Sequence, residues 1–115
     1  MRSDKPNLIV DKSLAFSLKI IKYCEQLEDI KKFVIANQLM KSGTAIGANI
    51  FEAQNAESKL DFIHKMKIAA KEASETKYWL LLCEKSDSYH FEITLKEDVD
   101  ELIKILSKII SSAKS

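Results

Sequence analysis

The segment FIHKMKIAAKEASETKYWLLLC, residues 62–83, decides the fold of this 115-residue chain. Apolar or small side chains recur in it at alternating steps of four and three residues, the spacing of one face of an α-helix. They are Phe62, Met66, Ala69, Ala73, Thr76, Leu80 and Cys83. Ser58 and Asp61 precede them with the spacing of a capping box, which marks a helix start. The segment therefore predicts one long helix at about residues 59–85.

The same spacing recurs in three further segments and predicts helices at about residues 8–27, 30–55 and 95–112. Thr94 and Glu97 form a second capping box at the start of the last one. The chain has two glycines and one proline, too few for the turns of an all-β domain. Four amphipathic helices joined by short loops predict one all-α domain over residues 1–115, an antiparallel up-down-up-down four-helix bundle.

The first helix carries more apolar surface than one bundle interface needs. Its two neighbouring stripes are Val10, Leu14, Ser17, Ile21 and Cys24, and Ile9, Phe16, Ile20, Tyr23 and Leu27. A monomeric bundle would expose part of this surface, and exposed apolar patches of this extent usually mark interfaces. We therefore expect the chain to assemble with copies of itself.

Both glycines lie inside the second predicted helix, as Gly43 and Gly47. A glycine in a helix interior costs about 1 kcal/mol relative to alanine, so a compensating contact is expected. Four residues apart, the two glycines share one helix face and predict the close approach of another helix. A kink or local unwinding is the alternative. Asn49, on the apolar stripe of the same helix, completes the predicted set of helix-contact residues.

Residue types for catalysis or metal binding are sparse. His64 and His90 are the only histidines, and neither follows the Glu-x-x-His pattern of di-metal bundles. Glu72 and Glu75 offer a carboxylate pair for acid–base chemistry, but such side chains on a helix flank more often face solvent or pair with lysines. We therefore expect no enzyme activity, no metal and no cofactor.

The two cysteines bear on the cellular compartment. Cys24 and Cys83 each lie in an apolar helical pattern and predict buried thiols in a reducing cytoplasm, with a disulfide or metal ligation as the alternative. The first ten residues lack the apolar core of a signal peptide, and no apolar run approaches the 18 residues that a membrane span needs. The sequence thus predicts a cytoplasmic protein without a membrane partner.

The charges favour phosphate contacts over base reading. The chain has 18 Lys and Arg against 17 Asp and Glu, a balance that argues against a protein dedicated to coating DNA. Arg2 is the only arginine, and lysine contacts phosphates as a point charge. The fourth helix is expected to be the acidic side; elsewhere the lysines indicate either a solvated surface or a phosphate-binding face. The candidate phosphate-binding residues are Lys12, Lys19, Lys22, Lys31, Lys32, Lys41, Lys67 and Lys71.

The central segment resembles a known family. The residues that carry the resemblance are Gln38–Ile50, Glu52–Ala53, the pattern SKxDFIxK at residues 58–65 and the pattern IAxKEAxETKYWL at residues 68–80. In this order they are similar to the four-helix-bundle proteins encoded in intervening sequences of bacterial 23S rRNA genes. The resemblance implies a small cytoplasmic bacterial protein that forms a homopentameric ring, with RNA or DNA binding as the function usually suggested. The chain departs from the family at Lys41, where arginine is common, and at Phe51, which replaces a small residue.

Two functional hypotheses follow. The main one is a non-enzymatic, oligomeric bundle that binds RNA or DNA through lysine-rich faces. The alternative is a protein–protein adaptor that docks a partner through leftover apolar surface and has no role with nucleic acids. Binding that weakens steeply with added salt favours the first, because phosphate contacts release counterions.

Overall fold

The computed structural model describes residues 7–115 and contains four helices in that range. They are α1 (Leu8–Asp29), α2 (Phe33–Ala53), α3 (Lys59–Lys85) and α4 (Ile93–Lys114). Each helix packs against the next along the chain, and α4 returns to pack against α1. Loops of three to seven residues join them, so successive helices run antiparallel. The predicted all-α, up-down-up-down four-helix bundle is confirmed.

The core lies on the helix faces that the spacing predicts. Six of the seven residues of the α3 stripe are buried, and Phe62 at its start is half-buried. In α1 the whole stripe Ile9, Phe16, Ile20, Tyr23 and Leu27 is buried, together with Val10 and Cys24 at the two ends of the other stripe. Between those ends the second stripe is less covered, and Leu14 remains 60% exposed. The surplus apolar surface predicted for α1 is therefore present.

The connection between α1 and α2 differs from the prediction. Lys31 has a left-handed φ of 64°, and the N–H groups of Lys31 and Lys32 donate to the carbonyls of Glu28 and Leu27. This pair of hydrogen bonds is a Schellman motif, which closes a helix through one left-handed residue. Because the chain turns here, α1 extends to Asp29 and α2 begins three residues later than predicted.

The capping predictions had mixed outcomes. Ser58 Oγ accepts the N–H of Asp61 at 3.0 Å, as predicted for the start of α3. The carboxylate of Asp61 accepts the N–H of Glu57 instead of completing a capping box with Ser58. The capping box at Thr94 is wrong, because α4 begins at Ile93 and Thr94 already lies inside the helix.

The two glycines lie where α2 meets α1. A β carbon at Gly43 would be 2.9 Å from Cγ2 of Ile20, and one at Gly47 would be 3.2 Å from Oγ of Ser17. The helix continues through both positions from Phe33 to Ala53. Asn49 is half-buried, and its amide donates to the carbonyl of Ala45 within α2 at 2.9 Å. The glycines thus let the two helices approach closely without a break in α2.

Polar groups in the core are hydrogen-bonded. Thr76 Oγ1 donates to the Glu72 carbonyl at 2.7 Å and lies 2.9 Å from the hydroxyl of Ser42 on α2. The buried hydroxyl of Tyr23 donates to the His90 carbonyl at 2.6 Å and so holds the loop between α3 and α4 against α1. Among the described residues, no buried side-chain nitrogen or oxygen lacks a partner. These bonds fix how the helices face one another.

Candidate nucleic-acid interface

Two of the predicted phosphate-binding lysines are neutralised by α4. Lys12 Nζ lies 2.9 Å from a carboxylate oxygen of Glu101, and Lys19 is hydrogen-bonded to Asp98. These pairs connect the flank of α1 to the first half of α4. Because each ammonium already has a carboxylate partner, a phosphate would have to displace that partner to bind.

Four other predicted lysines, on α1, on α2 and in the turn between them, are scattered over the surface. Lys32 lies 5.1 Å from the ring centroid of Tyr89, a cation–π contact at the end of the bundle where α2 begins. Lys31 occupies the left-handed position of the turn, and Lys22 lines a cavity between α1 and the start of α4. Lys41 is exposed on the outer surface of α2. These four lysines do not form one cluster with the remaining pair, Lys67 and Lys71.

Lys67 and Lys71 belong to a larger group, which we call the lysine end. It comprises the exposed lysines of the first half of α3 and the second half of α4. Its members are Lys59, Lys67, Lys71, Lys104, Lys108 and Lys114. Within residues 7–115, none of these side chains is within ion-pair distance of a carboxylate side chain.

Two members of the lysine end lie close together. Lys114 lowers the pKa of Lys67, because neutral Lys67 can accept a hydrogen bond from the Lys114 ammonium and because two ammonium groups there repel each other. Lys59 Nζ, at the start of α3, donates to the backbone oxygen of Ser115 at 3.4 Å. Antiparallel packing brings the start of α3 beside the end of α4, so lysines distant in sequence share one surface.

The charge of α4 is divided along its length, contrary to the expectation that this helix is the acidic side. Its acids all fall between residues 92 and 101, and Lys104, Lys108 and Lys114 follow them. Three of these acids form ion pairs: Asp98 with Lys19, Glu101 with Lys12, and Asp100 with Lys77 at 2.7 Å. The net charge of the whole helix hides these α4 lysines. The signal for them in the sequence is that they follow the acids along the helix.

An apolar groove lies on the opposite side, between α1 and α2. It encloses about 270 Å³ and is lined by Val10, Ser13, Leu14, Ser17, Gly47, Ala48 and Phe51. Phe51 is 62% exposed, so its large side chain points outward. A second apolar surface lies where the start of α2 meets the end of α3: Ile35 and Leu82 line one groove there, and Phe33 and Val34 are exposed at the start of α2. The bundle therefore presents two separate apolar surfaces.

Within residues 7–115, no three potential metal ligands lie together, and the His90 ring makes an exposed contact with Glu92 at 3.1 Å. Cys24 and Cys83 are free and buried, and burial raises the pKa of Cys24 to about 12, so this thiol stays protonated at neutral pH. No helix in this range is long and apolar enough to span a bilayer.

Known proteins show the same fold. The solved structures that resemble this chain include a protein of unknown function from the S23 ribosomal protein family of Bacteroides thetaiotaomicron VPI-5482. The two share 43% sequence identity and a TM-score of 0.84, over 89% of this chain and 97% of the other. No functionally curated protein matches the chain. The family model of the 23S rRNA-intervening sequence protein matches residues 5–108, and the chain therefore belongs to that family.

Proposed function

We propose that this protein is a non-enzymatic, homo-oligomeric bundle that binds RNA or DNA in the cytoplasm through phosphate contacts. The observation that carries the proposal is the lysine end, six exposed lysines in the first half of α3 and the second half of α4 that have no carboxylate side chain as a partner among the described residues. The two free, buried cysteines fit a reducing compartment. The family to which the chain belongs is named after intervening sequences of 23S rRNA, which makes RNA the first ligand to test.

Electrostatics favours a polyanion at the lysine end. Lys67 and Lys114 are close enough to depress the pKa of Lys67, and an anion between them would relieve their repulsion. Phosphate oxygens accept charge-assisted hydrogen bonds from lysine, and each phosphate contact releases condensed counterions. Lysine does not read base edges with the bidentate geometry of arginine, so we expect binding that tolerates different sequences.

Self-association is the second part of the proposal. The groove between α1 and α2 exposes Leu14 and Phe51, and a copy of the chain seated there would cover them. The second patch, around Phe33 and Val34, lies elsewhere on the surface. Two different patches suit a heterologous contact, which generates a closed ring when the rotation closes. The family resemblance sets the expected number of subunits at five. A ring would repeat the lysine end on every subunit.

A salt titration of binding tests the nucleic-acid proposal. We expect the logarithm of the affinity for RNA or DNA to fall linearly with the logarithm of the salt concentration. The variant Lys67→Gln/Lys71→Gln should bind more weakly, with a slope smaller by about one per lysine lost. Lys12→Gln/Lys19→Gln is the matched control, since it removes the same charge from ion-paired positions. No binding at low salt, or equal losses in both variants, would overturn the proposal.

The molecular mass in solution tests the assembly. We expect a mass near five times the 13.1 kDa of one chain, and dissociation when Phe51 is replaced by glutamine. A wild-type mass of one chain would refute self-association. The exposed groove would then favour the alternative function, a protein–protein adaptor, and nuclease-resistant capture of one protein partner that Phe51→Gln abolishes would support that alternative.

A further inference from the structure

The outer surface of α3 combines lysines with an exposed aromatic ring. We call this set the outer stripe of α3; its members are Lys67, Lys71, Ser74, Tyr78 and Lys85. They are spaced by four, three, four and seven residues, so they share one face of the helix, and all are exposed. The stripe is about 27 Å long at 1.5 Å per residue. It begins in the lysine end and continues past it to the end of α3.

Tyr78 is held in place although it is exposed. Its side chain is 55% accessible, and its ring packs against Trp79 with a centroid distance of 5.2 Å and an interplanar angle of 66°. Trp79 is fixed in turn, because its indole N–H donates to the Glu75 carboxylate at 3.1 Å. Glu75, three residues before Tyr78, is thus engaged by a hydrogen bond. The Tyr78 ring is therefore held in a fixed orientation. Lys71 lies seven residues before it and Lys85 seven residues after it.

We infer that the outer stripe of α3 binds single-stranded nucleic acid, with one base stacked on Tyr78 and phosphates farther along the strand in each direction held by Lys71 and Lys85. This inference rests on the proposed function. Proteins that bind single strands combine a cationic track with aromatic rings on which bases stack, and every base offers a π-face. In a duplex the base faces are already stacked on each other, so a duplex gains no binding energy from Tyr78. The phosphates of a duplex can still bind Lys71 and Lys85.

The single tryptophan provides the measurement. Trp79 is the only tryptophan in the chain and touches the Tyr78 ring, so a base that stacks there should change its fluorescence. The probes are an unstructured oligouridylate and a duplex RNA of equal length, each titrated into the full-length protein. Tyr78→Leu removes the π-face and keeps an apolar side chain, Tyr78→Phe keeps the ring, and Lys71→Gln is the charge control.

We expect Tyr78→Leu to weaken oligouridylate binding about 5- to 150-fold, the range measured for loss of one stacked base. Tyr78→Phe should bind like the wild type, and neither variant should alter duplex binding. Lys71→Gln should weaken both ligands. These outcomes together support the inference.

Three outcomes overturn it: wild-type oligouridylate binding by Tyr78→Leu, equal losses for single strand and duplex, or a changed oligomeric mass of Tyr78→Leu, which would assign the ring to a subunit contact. Binding of the duplex alone by the wild type overturns the inference and leaves the proposed function standing. Binding of neither ligand at low salt overturns both. Circular dichroism of each variant checks that the helices are intact.

Discussion

Replacing Gly43 by alanine tests the close packing of α1 on α2. A β carbon at this position would lie 2.9 Å from Cγ2 and 3.0 Å from Cγ1 of Ile20. Ile20 is fully buried and β-branched, so its χ1 rotation is restricted. The new methyl group therefore forces a side chain or a helix backbone to shift.

Two opposing contributions set the size of the effect. Alanine gains about 1 kcal/mol over glycine in a helix interior. Overpacking a well-packed core costs about 1–3 kcal/mol, and the two contacts at or below 3.0 Å place Gly43 in the upper half of that range. We expect Gly43→Ala to lower the free energy of unfolding by about 1–2 kcal/mol.

Gly47→Ala is the matched control, since it makes the same chemical change one helical turn later. Its β carbon would lie 3.2 Å from Oγ of Ser17, a half-buried side chain that can rotate, and 3.4 Å from the backbone oxygen of Ser13. Helix propensity should then outweigh the contact. We expect unfolding free energy equal to the wild type or higher by up to about 1 kcal/mol.

Urea unfolding followed by circular dichroism measures both variants, at one protein concentration because assembly makes stability concentration-dependent. Equal stability of Gly43→Ala and Gly47→Ala would refute the packing argument. A double-mutant cycle adds a second test. Ile20→Ala removes both γ carbons that the new methyl would meet, so Gly43→Ala should cost less in that background, by at least about 0.5 kcal/mol.

Four other predictions follow from single interactions. Thr76→Val should cost about 1–3 kcal/mol in urea unfolding by leaving the buried Ser42 hydroxyl unpaired, and adding Ser42→Ala should recover part of the loss. Lys96 on α4 donates a hydrogen bond to Glu84 and lowers the pKa of Glu84 below its usual value of 4.5. The bond therefore stabilises the fold above pH 4.5, and this stabilisation is lost as the pH falls through the folded-state pKa of Glu84. In acid titrations monitored by thermal melting, the advantage of the wild type over Glu84→Gln should therefore begin to shrink near pH 4.5 and vanish below the folded-state pKa of Glu84. Cys24, buried and protonated, should resist iodoacetamide in the native protein and react in denaturant; mass spectrometry showing rapid native alkylation would contradict its burial. Lys31→Gly should raise the unfolding free energy by up to about 1 kcal/mol, because glycine adopts a left-handed φ without strain, and an unchanged or lower value would count against strain at this turn.

The fold was predictable because its determinants are local. Helical spacing needs only neighbouring residues, and the α3 stripe from Met66 to Cys83 is buried as that spacing requires. The family resemblance rested on the same central residues. Helix ends were less predictable: the left-handed turn at Lys31 carries no glycine, so the sequence holds no signal for the end of α1 there.

The candidate interface depended on which helices face each other, which the sequence does not determine. Lys12 and Glu101 are 89 residues apart, and only the antiparallel register of α1 and α4 makes them partners. The same kind of pairing neutralises Lys19, whereas Lys67 meets another lysine, Lys114. The sequence by itself determined four amphipathic helices and an excess of apolar surface, since both depend on residue spacing within one helix. Only the tertiary structure decided which lysines keep an uncompensated charge, because that depends on which helix each side chain faces.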